Sequence, residues 1–210
     1  MQTMDPVSPT PAGALASPAV ARNTGPILQI LRAHLPARGR VLEIAAGSGE
    51  HAVAFAGALP GLDWTPSDPS VEARASIAAW AAGAGLPNLR APLALDVLDP
   101  ATWPEGPLRV VVCINMIHIS PWAATEGLMA LAGSRLPVGG LLVLYGPYRE
   151  PEVPLAASNA AFDESLKARD PAWGLRDRDE VAAAAKLEGL ALTRRVEMPA
   201  NNLMLLFRRI

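Results

Sequence analysis

The residues best suited to chemistry stand together in VLEIAAGSGEHAVAFA, positions 41–56, where an apolar run meets a glycine turn and then a helix-forming stretch. Gly47 and Gly49 carry no Cβ, so the backbone there can pass close to a ligand, and Glu43 stands just before the turn. Junctions of this kind hold nucleotide-like cofactors, and two classes fit. Gly47, Gly49 and Ala52 satisfy the dinucleotide spacing G-x-G-x-x-G/A, which is weak evidence alone. A dinucleotide sets its pyrophosphate on the amino end of the following helix, where Glu50 would place a negative charge beside it. S-adenosylmethionine has no phosphate and tolerates Glu50, and Glu43 can hold its cationic amino group directly or through water. In the plainer alternative, Glu50 only complements its own helix dipole and His51 is a surface residue of the first turn.

Further candidates follow later predicted strands. Asp68 has the spacing of an acid that accepts from both ribose hydroxyls, although it also precedes Pro69 as a helix cap would. Asp96 is expected near an adenine amino group, with Val97 offering its backbone amide to the ring. The pair also reads as a turn before Asp99-Pro100. After the fourth strand comes Asn115-Met116-Ile117-His118, where Asn115 and His118 are the polar residues expected to face the crevice. His118 is the candidate general base, since imidazole accepts protons near neutral pH; its alternative is a hydrogen-bonded structural residue. Met116-Ile117 replaces the prolines of the amino-methylating motif Asn/Asp-Pro-Pro-Tyr, which counts against methylation of nucleic-acid bases. Cys113 is the only cysteine and reads as a core thiol, and His34, His51 and His118 show no ligand spacing. No metal is expected.

The elements that must position these residues alternate between short apolar runs and longer Ala-rich stretches, the mark of an α/β fold with a parallel sheet covered on both faces. Strands are predicted at Arg40–Ile44, Asp63–Pro66, Pro92–Leu95, Arg109–Ile114 and Leu141–Tyr145, with helices near Glu50–Ala58, Pro69–Ala82 and Trp122–Leu136. An earlier helix is expected behind Asn23 or Thr24 as cap, ending near Pro36. A later one starts at Asp177, with Glu180 bonding back and Gly189 as left-handed exit. Ala191–Met198 and Leu203–Ile210 read as strands joined by Pro199-Ala200-Asn201-Asn202, too short for a parallel crossover. The expectation is a Rossmann-like class I methyltransferase fold, a mostly parallel seven-stranded sheet ending in an antiparallel C-terminal hairpin. Residues 1–21, rich in Pro, Ser and Ala, read as a flexible tail before one cofactor-binding domain over 22–210.

Bulk properties narrow the partners. Half of the 210 residues are apolar without any membrane-length run, which suggests a cytoplasmic protein. Lys and Arg total 18 against 20 acidic residues, a formal charge of −2, so nothing drives binding to a phosphate backbone. The expected partner is a small-molecule acceptor, with neither nucleic acid nor membrane.

From about Arg22 to Ile210 the chain closely resembles the methyltransferase-like proteins grouped as domain of unknown function 938, relatives of methyltransferase-like protein 26. The resemblance rests on Arg22-Asn23 with Pro26-Ile27-Leu28, Leu42-Glu43-Ile44-Ala45 with Gly47 and Gly49-Glu50-His51, Pro66-Ser67-Asp68, and Ile114 to Trp122. It continues through Leu144-Tyr145-Gly146-Pro147-Tyr148, Ser158-Asn159 with Phe162-Asp163, Arg169-Asp170-Pro171 with Trp173-Gly174, and Met198 to Asn202. It implies the fold and S-adenosylmethionine binding, with Ala45 standing where wider methyltransferases have the first glycine of the turn. Class I methyltransferases commonly insert an acceptor-covering segment after the fifth strand. Tyr145, Tyr148, Asn159, Phe162, Asp163, Arg169 and Trp173 are therefore candidate substrate-binding residues, joined by Arg22. Alternatively Phe162, Leu166 and Trp173 only pack a helix onto the sheet. The functional expectation is O- or N-methylation of a small molecule. The alternatives are a catalytically idle S-adenosylmethionine-binding or partner-binding module, and an NAD-dependent oxidoreductase.

Overall fold

A computed structural model describes residues 10–210. In chain order the elements are α1 (Pro18–His34), β1 (Gly39–Ile44), α2 (Glu50–Ala58), β2 (Leu62–Pro66), α3 (Val71–Ala84), β3 (Val110–Ile114), α4 (Trp122–Arg135) and β4 (Leu141–Gly146). There follow β5 (Tyr148–Arg149), α5 (Ala157–Arg169), β6 (Arg176–Asp177), α6 (Arg178–Leu187), β7 (Leu190–Met198) and β8 (Asn202–Arg209). Six strands form one sheet in the order β2-β1-β3-β4-β8-β7. The first four are mutually parallel, while β8 is antiparallel to both β4 and β7. This is the mostly parallel sheet with an antiparallel hairpin at its end that the chain's alternation implies.

Strand pleat divides the core in two. Val41, Val110, Val112 and Val143 face one side with Ile27, Leu31, Phe55 and Trp64. Leu42, Val111, Leu142 and Leu144 face the other with Leu128, Met129, Val181 and Ala185. Because side chains alternate along each strand, the near-continuous apolar runs are what burial on both faces requires. The parallel strands share one carboxyl edge. Gly146 pairs with Leu203, so the β7–β8 turn reaches that same edge.

Several boundaries differ from expectation. Residues 1–9 of the expected tail lie outside the described residues, and residues 18–21 of it are helical. Pro18 starts α1 with its preset φ, and Thr24 sits inside the helix with its hydroxyl donating to Val20 O at 2.7 Å. The preceding segment is tied to α3, since Leu15 N–H donates to Ser76 Oγ and Trp80 Nε1 donates to Leu15 O, each at 2.8 Å. Such distant partners leave no local signal.

Helix α3 starts at Val71, two residues beyond the expected Pro69, because Ser70 is its cap. The predicted strand Pro92–Leu95 does not pair continuously. Its segment touches β2 and the residue after it through the single bridges Trp64–Leu89 and Ser67–Leu93, where a seventh strand would lie. Asp177 caps α6 as expected, accepting from Asp179 and Glu180 N–H, and Gly189 takes φ +70°. Among the described residues no helix is long and apolar enough to cross a membrane.

Candidate functional site

The chain leaves β1 through a turn held in unusual backbone conformations. Ala45, Gly47 and Gly49 have φ of 53°, 58° and 92°. An alanine there is sterically disfavoured, and such strain is retained where surrounding structure enforces it. The two glycines have different reasons. A Cβ on Gly49 would stand 2.7 Å from Ile77 Cα, whereas one on Gly47 would meet nothing within 4 Å. Gly49 is a packing glycine, and Gly47 borders open space. Asp68, at the end of β2, accepts from Gly47 N–H at 3.1 Å and from Ser70 N–H at 2.9 Å. Since Ser70 Oγ accepts from Ala73 N–H, the helix-cap reading of Asp68 is superseded and its carboxylate belongs to the turn.

Beneath the turn Glu43 is buried at 1% exposure. Trp64 Nε1 donates to its Oε2 at 2.7 Å. Burial pushes its carboxyl up to about 7, against the lowering effect of that bond.

At the amino end of α2, Glu50 Oε2 accepts from Ser17 N–H at 2.7 Å and from the Ser48 hydroxyl at 2.9 Å. Ser17 makes no side-chain cap of its own, so Glu50 caps α1 from a neighbouring helix. The next residue corrects the surface reading: His51 is 6% exposed and stacks on Phe55 at 5.1 Å. Its Nε2 meets Asn23 Oδ1 at 2.9 Å, and burial lowers its pKa to about 4, leaving it neutral. Tyr145, buried near the end of β4, has its pKa raised by burial against an opposing effect of Asn23. Sequence reasoning missed Asn23 and His51 as site residues. Their only signal is an early helical Asn and a His one residue beyond the glycine turn.

At the end of β3, Asn115 takes φ +62° and its N–H donates to Tyr145 O at 2.8 Å. This left-handed step starts a short 3-10 turn, Met116–His118, that carries His118 inward. His118 is 0% exposed, edge-on to Tyr148 with centroids 5.0 Å apart. Neither ring nitrogen has a partner, and burial lowers its pKa to about 3. The ring lies behind Gly146, where a Cβ would come within 2.3 Å of His118 Nε2. The expectation that His118 lines the open crevice is therefore corrected, because the 3-10 turn rotates it under the edge. Asp96 Oδ1 accepts from Leu98 N–H at 2.9 Å, as a turn residue does, and Val97 is buried beside it.

Beyond β4 the candidate acceptor residues separate. Tyr148 and Asn159 line a cavity of about 280 Å³ between α5 and the β7–β8 turn, with Leu155, Met198 and Asn202. Asn159 Nδ2 donates to Asn201 O at 2.9 Å, which ties α5 to the hairpin. Asp163 is instead a structural anion: its carboxylate takes Lys167 Nζ at 2.7 Å, Leu175 N–H at 2.8 Å and the Arg149 guanidinium. Phe162 is 42% exposed, Arg169 stacks over Trp173 at 4.8 Å, and Arg22 is exposed. None of these four lines the cavity. Of the alternative packing trio only Leu166 is fully buried.

Solved structures share this architecture. An O-methyltransferase family protein from Burkholderia thailandensis matches with a TM-score of 0.77 and 17% identity, over 91% of this chain and 57% of that chain. The mitomycin 7-O-methyltransferase MmcR matches with a TM-score of 0.77 and 19% identity, over 90% and 55%. CalO1, a methyltransferase in calicheamicin biosynthesis in its SAH-bound form, matches with 0.71 and 18%, over 91% and 55%. The chain thus spans little more than half the length of these proteins, and the likeness establishes a methyltransferase fold. Residues 15–209 match the family described as protein of unknown function DUF938, and with nearly the whole sequence covered, the chain belongs to that family.

Proposed function

We propose that the protein is an S-adenosylmethionine-dependent methyltransferase acting on a small-molecule acceptor at oxygen or nitrogen. The observation that carries this reading is the Glu50 carboxylate, fixed by Ser17 N–H and Ser48 at the amino end of α2. That end is where a dinucleotide would set its pyrophosphate, so the fold's cradle is closed to phosphate and left open to a phosphate-free nucleoside. The residues present fit such a cofactor. Space is open over Gly47, and Asp68 stands at the strand end suited to a ribose diol. Glu43 lies below for an ammonium group, and Asp96 and Val97 flank the adenine side. Ala45, Gly49 and Asn115 shape the walls through their backbones.

S-adenosylmethionine supplies an electrophilic methyl group when bound. The chain's own work is then chiefly to hold and align two molecules, a contribution that requires little acid–base machinery. The cavity beside Tyr148 and Asn159, about 280 Å³, suits a compact acceptor with both apolar and polar parts. The fully buried His118 packs edge-on against Tyr148 at the side of that cavity, and its lowered pKa keeps the ring uncharged near neutral pH.

Calorimetry with S-adenosylmethionine, S-adenosylhomocysteine and NAD tests the cofactor. Micromolar-range binding of the first two without comparable NAD binding is expected, and tighter NAD binding would overturn it. Transfer of a tritiated methyl group from S-adenosylmethionine to the low-molecular-weight fraction of a cell extract tests the activity. Cofactor binding without transfer to any fraction would favour the idle module.

A further inference from the structure

Asn23 from α1 and His51 from α2, which nothing above assigns to a ligand, meet at the carboxyl edge, where Tyr145, so far only an acceptor-binding candidate, lies near the end of β4. They lie on the sheet face that also carries Glu43, since Glu43 is in register with Val112, and Ile114, two residues on, is in register with Tyr145. The bonding order within the group is determined by chemistry. Asn23 Oδ1 faces His51 Nε2 at 2.9 Å, so the imidazole donates and the amide oxygen accepts. The Asn23 amide NH₂ is thereby left free of His51 as a donor, and Asn23 lowers the pKa of the Tyr145 phenol as a nearby donor does. The Tyr145 hydroxyl, kept protonated by burial, has its own proton to donate.

We propose that Asn23 and Tyr145 form a clamp of uncharged donors for the carboxylate at the amino-acid end of S-adenosylmethionine, with His51 as the positioning residue that orients the Asn23 amide. The inference rests on the cofactor reading above. With the ribose at Asp68, beyond β2, the amino-acid arm must run over Gly47 toward β3 and β4. Strands lie about 4.8 Å apart, so β2 to β4 spans roughly 14 Å, a gap that the arm and the Tyr145 side chain share. An amino acid arriving there is a zwitterion, and the face meets it in complementary halves: a carboxyl group at Glu43 for the ammonium, donors at Tyr145 and Asn23 for the carboxylate. The donors are neutral because burial keeps His51 unprotonated and Tyr145 protonated. Affinity at this end therefore comes from directed hydrogen bonds to a charged group, worth roughly tenfold or more each.

The test compares two ligands by calorimetry: S-adenosylhomocysteine and S-adenosyl-3-thiopropylamine, the same molecule with hydrogen in place of the carboxylate. The parent protein is expected to prefer the carboxylate-bearing ligand at least tenfold. Tyr145→Phe, which keeps the ring, and Asn23→Ala should each weaken S-adenosylhomocysteine about tenfold and leave the decarboxylated ligand within twofold. His51→Leu should narrow the preference, and His51→Gln, which can still donate to Asn23, should restore most of it. Equal weakening of both ligands, or unchanged S-adenosylhomocysteine affinity in folded variants, overturns the clamp alone. A parent protein that binds neither ligand overturns the cofactor reading and the clamp together.

Discussion

Trp64 Nε1 donates to Glu43 Oε2 at 2.7 Å beneath the glycine turn, joining the ends of two neighbouring strands through a carboxyl group that water scarcely reaches. One indole bond does not replace the hydration of a carboxylate, and the Glu43 pKa is raised from 4.5 to about 7.

A pH dependence follows with a defined sign. The folded state holds the Glu43 proton more tightly than the unfolded chain, so this stabilisation is complete below pH 4.5 and is lost as pH rises through about 7. The loss is on the order of 3 kcal/mol. Glu43→Gln imitates the protonated acid and can still accept from Trp64. Its stability relative to the parent is expected to increase between pH 4.5 and 7 and to level off above, as read from denaturant midpoints across that range. A constant difference at every pH would show that Glu43 does not titrate in this window. Because an ammonium favours the ionised carboxyl, S-adenosylhomocysteine should also bind the parent more tightly as pH rises toward 7, and the Gln variant should lack that trend.

The two turn glycines should fail in different ways. Gly49→Ala drives a Cβ to 2.7 Å from the Ile77 backbone at φ +92°, so the expected result is a loss of roughly 2–3 kcal/mol in stability. Gly47→Val adds its branched side chain to open space, at a φ of +58° that adds only backbone strain. That variant should remain folded while S-adenosylhomocysteine binding falls at least tenfold, about 1.4 kcal/mol. Undiminished affinity in folded Gly47→Val protein would place the cofactor elsewhere.

The architecture and the turn were more legible than the site's interior, for a physical reason. Strands β1, β3, β4, β7 and β8 and helices α2, α4 and α6 show in the sequence because period, caps and apolar runs are local properties. The turn residues Gly47 and Asp68 show for the same reason, through their spacing from β1 and β2. The direction of a side chain past a strand end is not local: His118 turns inward because Asn115 is left-handed, and nothing in Asn115-Met116-Ile117-His118 announces that. Asn23 and His51 meet across 28 positions of sequence, and α1 starts early because Glu50 and α3 hold the segment before it. Asp163 is a pocket candidate by its place in the segment after β4, and two partners that make it structural, Arg149 and Leu175, lie 14 and 12 positions away.

His118 gives an acid-side counterpart to Glu43. Its pKa is lowered from 6.5 to about 3, so its contribution is intact above pH 6.5 and is lost as pH falls toward 3. His118→Leu removes an imidazole that has no hydrogen-bond partner, and at pH 7 its stability should lie within about 1 kcal/mol of the parent. At pH 4 the variant should be the more stable by roughly 3 kcal/mol, with the remaining acid sensitivity contributed in part by His51. Once an acceptor is in hand, the parent's methyl-transfer rate should show no imidazole titration near pH 6.5 that His118→Leu abolishes. The appearance of one would restore His118 as a base and require the edge to open during turnover.

Glu50 joins the amino ends of α1 and α2 through Ser17 N–H and the Ser48 hydroxyl. If it acts as an external cap, Glu50→Ala leaves Ser17 N–H without its acceptor and should cost about 1 kcal/mol, roughly 2–4 °C in Tm for a chain of this size. The loosening should be local. Amide exchange is expected to accelerate over residues 15–24 and to stay unchanged in β3 and β4. Because Asn23 rides on the same helical segment, S-adenosylhomocysteine affinity should fall several-fold although Glu50 itself touches no part of the ligand. Glu50→Gln can still accept from Ser17 and should recover most of both properties. NAD binding should remain absent in Glu50→Gln, since Ser17 and Ser48 still occupy the helix end. Strong NAD binding by that variant would mean that charge alone had closed the site to phosphate, and the proposed occupancy of the α2 terminus by the α1 segment would be wrong.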